Sequence, residues 1–290
     1  MRGEPLCLPS SARTQNGAGM SDNKYFNPEG VAAPGGTYSH IAEFPAGSRV
    51  LYTAGQVGVA RDGSFPDNFR QQAENVWQNL IHILGDDKMT ANDIVKVVHY
   101  LDDAANIEPY REAYARYYGS TMPASTLLVI KQLARPEFLL EVELVAATLQ
   151  PPPPQRVQES LRANRHFSPA NMTPPFSQYS HGVAIPPGSR IIHTAGQVGF
   201  SGDHSIPEDF VEQAKNLWGN LSNILEVDGL TWNDVVKVNH YLTSRDDLPA
   251  YRDIYLEHLG NAAPAATLVI VDRLAHPDFK LEVEIVAAKL

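Results

Sequence analysis

Imidazole suits proton transfer near neutral pH. Four histidines of this chain fall into two pairs, His40 with His181 and His99 with His240, each pair 141 residues apart. The same interval separates Arg111 from Arg252, each directly after a tyrosine in YREAY and YRDIY, and Glu141 from Glu282 in LLEVE and KLEVE. A guanidinium is a bidentate partner for a carboxylate or phosphate. His99 lies inside the apolar run IVKVVHYL, so a packed core histidine is its simpler reading. Arg111 and Arg252 read as solvent-facing helix residues, with a binding role as the alternative. No HxH, HxxxH or HExxH spacing occurs and the carboxylates are scattered, so no metal centre is expected. There is no GxSxG elbow and no phosphate-binding glycine loop. The single cysteine, Cys7, allows no intrachain disulfide and is a poor nucleophile in a Gly-, Ser- and Pro-rich stretch.

The pairing of chemical residues is part of a larger repeat. YTAGQVG at 52–58 returns as HTAGQVG at 193–199, NDIVKVVHYL at 92–101 as NDVVKVNHYL at 233–242, and RPEFLLEVELVAATL at 135–149 as HPDFKLEVEIVAAKL at 276–290. A period this long is a duplicated domain rather than a solenoid unit. The expected organisation is a disordered tail over 1–24, one module over 25–149, a proline-rich linker over 150–165 that opens on four prolines, and a second module over 166–290.

Within one module the patterns give an order of elements. RVLYTAGQV (49–57) reads as a strand after the turn PAGS, with Arg49 at its exposed start. Phe69, Ala73, Val76, Trp77, Leu80, Ile83 and Leu84 recur at helical spacing, which predicts an amphipathic helix over 67–84. Residues 94–101 are a β-branched strand, and a helix opening near Pro109 puts Tyr110, Ala113, Tyr114 and Tyr117 on one face. Residues 125–133 and 138–149 read as two further strands forming a hairpin around Arg135-Pro136-Glu137. The fold class is α+β, a mixed sheet with two helices on one face. The other face carries valine and leucine and needs a neighbouring copy to cover it.

A formal net charge of −10 disfavours broad binding to nucleic acid. The longest apolar runs fall short of a membrane span, and the scarcity of cysteine suits a reducing compartment, the cytoplasm being expected. The expected partners are a small molecule and further copies of the chain, with no nucleic acid and no membrane.

The series TAGQVG, amphipathic helix, NDIVKVVHYL, tyrosine-bearing helix, PAST/PAAT and LEVELVAA resembles the YjgF/Rid superfamily, also called L-PSP. The resemblance covers each module almost entirely. It implies a chorismate-mutase-like fold that trimerises through its open sheet face, with clefts between adjacent modules. Three two-module chains would then fill two rings of three. It also implies hydrolysis of reactive enamines and imines to keto acids and ammonia, with no metal or organic cofactor. On this resemblance Tyr38 and Tyr179 line the clefts, and Glu141 and Glu282 position a water. Gly55 and Gly196 follow the cleft strand, and Arg111 and Arg252 border a neighbour's cleft. His40 and His181, two residues past the tyrosines, join the proton-transfer candidates. A bland reading stands beside each: Gly55 as a turn residue, Glu141 and Glu143 as a solvated strand face, the tyrosines as interface packing. The family's substrate-holding arginine directly follows Pro-Ala; here Ser125 and Ala266 take its place. The clefts are therefore expected to lack their positive anchor. The leading expectation is a divergent imine or enamine enzyme with a larger, more apolar substrate. A non-catalytic metabolite-binding protein is the alternative, and a ribonuclease the remote one.

Overall fold

The computed structural model describes residues 22–34, 36–118, 121–151, 163–202 and 205–290. Residues 1–21 of the tail expected to be disordered over 1–24, Cys7 among them, and 152–162 of the proline-rich linker lie outside the described residues; at the end of that tail Asn23 bonds Ala147 O at 2.9 Å and Lys24 begins a strand.

The first copy comprises β1 (Lys24–Phe26), β2 (Ile41–Glu43), β3 (Arg49–Thr53), β4 (Gln56–Val57), α1 (Phe69–Asp86), β5 (Ile94–Leu101), α2 (Ile107–Tyr114), β6 (Ala124–Val129), β7 (Gln132–Leu133) and β8 (Leu140–Thr148). The second repeats the order without an equivalent of β7: β9 (Arg165–Phe167), β10 (Gly182–Ile185), β11 (Arg190–His193), β12 (Gln197–Val198), α3 (Phe210–Val227), β13 (Val235–Leu242), α4 (Leu248–Leu259), β14 (Ala265–Ile270) and β15 (Leu281–Lys289). The chain is thus two tandem α+β modules, each a mixed sheet with two helices on one face.

The long helices follow from their stripes and caps. Asn68 accepts the Gln71 amide at the start of α1, and Asp209 accepts that of Glu212 at the start of α3. Val76, Trp77, Leu80 and Ile83 face the sheet and are fully buried, as are Leu217, Trp218 and Leu221 in α3. Each such side chain contributes roughly 1.5–3 kcal/mol on burial.

Strand order departs from the expectation in one place and extends it in another. The first sheet runs β6-β5-β8-β3-β10-β9, with β4 also on β8. The expected hairpin between β6 and β8 is not formed. β6 returns after α2 to lie parallel to β5, which separates it from β8, as a crossover through a helix dictates. The strand expected over 49–57 is broken at Ala54-Gly55, where the two halves pair with different parts of β8.

The modules also exchange strands. β10 of the second copy pairs antiparallel with β3 of the first, carrying β9 with it. In return β7 of the first copy pairs with β14 in the second sheet, whose order is β11-β15-β13-β14-β7, with β12 on β15. The apolar faces left free by the helices meet in one cluster drawn from both copies: Val50, Val95 and Ala147 with Val183, Val236 and Ala288. The hairpin β1–β2, the counterpart of β9–β10, forms a separate two-stranded sheet.

A buried ionic cluster locks the exchange. Asp87, at the end of α1, is fully buried and binds both Arg49 and Arg165. Arg165 also stacks on Phe167 at 3.9 Å from the ring centroid. Arg49 is therefore no surface residue, because a strand from the second copy covers it. Its counterpart Arg190 pairs with Asp228 at 2.7 Å in an exposed setting.

Candidate functional site

Exchange of strands brings the two copies edge to edge and leaves a cleft of about 170 Å³ between them. That is well above the roughly 10–15 Å³ one water needs on this measure. The first copy contributes Gly55, Arg135, Phe138 and Glu141; the second contributes Tyr179, His240, Arg252 and Ala266, with Phe176 and Leu268 adding apolar wall.

Glu141 arrives from β8, paired with β4 so that Val57 lies opposite it. It is 6% exposed. A Cβ at Gly55 would overlap the Glu141 carboxyl, so this glycine is required for close approach rather than for a turn. Burial is the main cause that pushes the Glu141 pKa up to about 8, the Glu143 charge adds to it, and the Lys237 ammonium opposes it. Glu143 is buried too and makes an ion pair with Lys237 of the second copy at 2.8 Å. The solvated-face reading of Glu141 and Glu143 is thus corrected: the second copy covers that face. Lys237 further donates to Thr53 O at 2.9 Å and to Thr267 Oγ1 at 2.8 Å, tying the copies together beside the cleft.

Tyr179 reaches the cleft from the segment before β10. Its hydroxyl oxygen accepts the Phe176 amide at 3.3 Å. Burial raises its pKa to about 12, with Glu141 adding a smaller push in the same direction. Two backbone bonds fix the register across the gap: Ala54 N–H donates to His181 O at 2.9 Å and Gly55 N–H to Ala266 O at 3.0 Å.

His181 lies behind the cleft. It borders a small recess with Gly55, Gln56 and Tyr179, and burial lowers its pKa to about 4. His240, which resembled a core histidine in the sequence, is 3% exposed yet forms part of the cleft wall. Burial lowers its pKa to about 3.

The position after Pro-Ala is uncharged in both copies, yet the cleft is lined by cations from elsewhere. Arg252 of α4 lines it, and so does Arg135, which the sequence reading placed only in a turn. The Arg135 guanidinium lies 5.0, 5.6 and 5.9 Å from the ring centroids of Phe65, Phe138 and Phe176 and pairs with Glu137 at 2.7 Å. Its turn is positioned from two sides. β7 is drawn onto β14, and Gln72 of α1 donates to Glu137 O at 2.8 Å while accepting the Leu139 amide at 3.1 Å. The one available signal was the repeat itself, since Arg135 stands where the second copy has His276.

The other sequence-derived residues stay apart. Tyr38, His40 and Ser125 belong to the outer edge of the first copy, and Gly196 and Glu282 to the outer edge of the second. Among the described residues no strand pairing joins these two sets, and neither lines the cleft. Glu282 is less enclosed than Glu141, and its pKa is raised, by burial and then by Glu284. Its relation to Gly196 repeats that of Glu141 to Gly55. Arg111 pairs with Glu108 at 2.7 Å in the open, as the solvent-facing reading expected. Among the described residues no cluster of three His, Cys, Asp or Glu side chains could hold a metal ion, and no helix is long and apolar enough to cross a membrane.

A family model described as Endoribonuclease L-PSP matches residues 31–148 and again 170–289. A RutC family protein of Pyrococcus abyssi is 33% identical over 117 residues, 40% of this chain and 89% of its own length. A mouse protein named 2-iminobutanoate/2-iminopropanoate deaminase is 31% identical over 113 residues, 38% of this chain and 81% of its own. Among solved structures, a Rid-family protein of unknown function from Yersinia pestis is 30% identical, covering 43% of this chain and 97% of that one, with a TM-score of 0.39.

Proposed function

Because the chain belongs to the Endoribonuclease L-PSP (YjgF/Rid) family and carries its module twice, we propose that it is a small-molecule enzyme hydrolysing an imine or enamine in the cleft between its own two copies. The observation that carries this reading is the Glu141 carboxyl. It is buried against Gly55, raised to about 8, and shares a largely apolar cleft with Tyr179 and two guanidiniums. A carboxyl poised near neutrality both gives and takes a proton. In the proposed reaction Glu141 protonates the substrate nitrogen, or the carbon of an enamine. Water adds to the imine carbon, the proton it releases returns to the carboxylate, and the C–N bond breaks. Imine and water thus become keto compound and ammonia, using only side chains and solvent.

The substrate differs from a small amino-acid-derived imine. Ala266 offers no charge at the cleft floor, while Arg135 and Arg252 stand at its partly exposed mouth. A longer substrate, apolar in the middle along Phe138 and Leu268, with an acidic end reaching the mouth, fits this distribution. The mouse relative's name supports the reaction class. The test is ammonia release from a series of imines of increasing chain length, wild type against Glu141→Gln. Selective turnover of the longer acids, lost in the variant, is expected. Binding without turnover would instead make this a metabolite-binding protein.

Further copies complete a second cleft. The outer edge of β11 is unpaired among the described residues, whereas its counterpart β3 carries β10. Shifting the β10–β3 register by one repeat places Ile41, Ala42 and Glu43 of one chain opposite Thr194, His193 and Ile192 of the next. That docking would bring Lys24 to Asp228 and join Tyr38 and Ser125 to Gly196 and Glu282. Association measured by light scattering, abolished by Ala42→Pro in β2, is the expected result.

A further inference from the structure

His99 and His240 hold equivalent places in the two copies, and both rings are fixed through Nδ1. The Tyr110 hydroxyl lies 2.7 Å from His99 Nδ1 and the Tyr251 hydroxyl 2.5 Å from His240 Nδ1. The rings differ at the other nitrogen. His99 Nε2 has Ser125 Oγ at 3.0 Å and the Tyr118 hydroxyl at 3.3 Å. The second copy has Ala266 and Leu259 at those two places, and neither side chain carries a polar atom. Both partners are gone together, and among the described residues no other group bonds His240 Nε2. This happens in the copy whose histidine and alanine line the completed intrachain cleft.

The proton on that ring can be placed. Tyr251 is buried, and burial holds its hydroxyl well above its ordinary pKa, so it keeps its hydrogen. Trp218, whose indole N–H can only donate, also bears on that hydroxyl, so among the described residues His240 Nδ1 is the one acceptor found for its hydrogen. A buried donor turned elsewhere would go unpaired. Tyr251 therefore donates to Nδ1, and Nε2 carries the hydrogen of a neutral imidazole.

We propose that the Nε2–H of His240 is the ligand-holding donor of the intrachain cleft, receiving a carbonyl or carboxyl oxygen of the bound molecule. The choice of ligand rests on the imine-hydrolase reading; the donor itself rests on the contrast between the two copies. In a cleft completed between chains the same nitrogen belongs to His99 and is already engaged by Ser125. The two kinds of cleft then differ in what they hold, one through an open N–H and one through a serine hydroxyl.

The test uses the full chain and 7-oxooctanoate, a keto acid whose carbonyl and carboxyl stand at opposite ends of an apolar chain, as the proposed product requires. Its binding is followed by nuclear magnetic resonance of isotope-labelled histidine and by calorimetry. The keto acid is expected to shift the His240 Nε2 resonance. Ala266→Ser, which rebuilds the first copy's serine–histidine bond, is expected to weaken binding about 10-fold with an unchanged melting temperature. His240→Gln, which keeps an N–H donor, should retain more affinity than His240→Phe. Binding that leaves His240 unmoved, wild-type affinity in Ala266→Ser, or no binding at millimolar keto acid would each overturn the inference. A protein that turns over no imine but still shows the His240 shift would sink the hydrolase reading and leave this inference standing.

Discussion

The cleft inside the chain and the two outer edges are built at the same repeated positions in different states of completion. Inside, Lys237 meets Glu143 and Thr53 across the seam, Arg165 meets Asp87, and Glu141 is enclosed. At the edges each of these groups has its counterpart without the facing copy. Among the described residues Lys96 bonds Thr126 within its own module, at 2.7 Å, Lys24 turns to Glu43, and Glu284 accepts from Asn239 and Tyr241 instead of a lysine. At positions that repeat unchanged, Glu141 and Glu282, Glu143 and Glu284, Lys96 and Lys237, burial differs with whether a second copy covers them.

The sharpest way to break this comparison is at the two glycines. Gly55→Ala forces the Glu141 carboxyl out of place, and a fall of about 10²-fold in kcat/KM on imine substrates is expected. Gly196→Ala makes the same change at the open edge and should cost less than about two-fold at protein concentrations where chains are separate. Equal losses would show that the intrachain cleft is not the principal site.

Next in size is stability. Asp87→Ala takes the counter-charge from buried Arg49 and leaves Arg165 with the looser Asp86 pair at 3.7 Å, and should destabilise the chain by about 3–5 kcal/mol. Asp228→Ala, at an exposed pair, should change it by no more than about 1 kcal/mol. Urea unfolding of both variants decides, and similar values would mean that the second sheet edge is covered as fully as the first.

The enclosed carboxyl gives a pH signature. Its ordinary pKa is 4.5 and its folded value about 8. Between those values the folded chain keeps a proton the unfolded chain has released. Its contribution is complete below pH 4.5, declines as pH rises through the window, and is gone above about 8, by an amount on the order of a few kcal/mol. Glu141→Gln should flatten that decline in unfolding free energy, while Glu282→Gln, at the open edge, should alter the profile less. A wild-type profile unchanged by Glu141→Gln would place the carboxyl in water.

The repeat offset, the helices and the class of fold could be read directly, because periodicity and caps are local. Gly55 and Glu141 were found as candidates, but their mutual contact was not, since it depends on β4 pairing with β8. Arg49 looked like a strand-start surface residue and is buried, and Arg135 looked like turn chemistry and lines the cleft. Both errors have one cause. The strands that reposition them, β10 on β3 and β7 on β14, cross between copies, and two copies sharing the same motifs carry no mark of which copy each strand pairs with. The change from Ser125 to Ala266 was visible; that it frees a ring nitrogen of His240 required the side chain of β13 to be placed beside β14.

The smallest expected contrast lies on the second helix of each copy. Arg111 and Arg252 follow a buried tyrosine in the same way, yet Arg252 borders the completed cleft and Arg111 pairs with Glu108 at 2.7 Å in solvent. A guanidinium at a partly exposed mouth works through water, so Arg252→Ala should raise KM for an acidic imine several-fold, roughly 3–5 times, with kcat nearly constant. Arg111→Ala should leave both unchanged in separate chains. If Arg111→Ala raised KM as chain concentration increased, the outer edges would be meeting, and the same motif would be serving a second cleft. A fall in kcat for Arg252→Ala would place its charge nearer the reacting carbon than the cleft mouth.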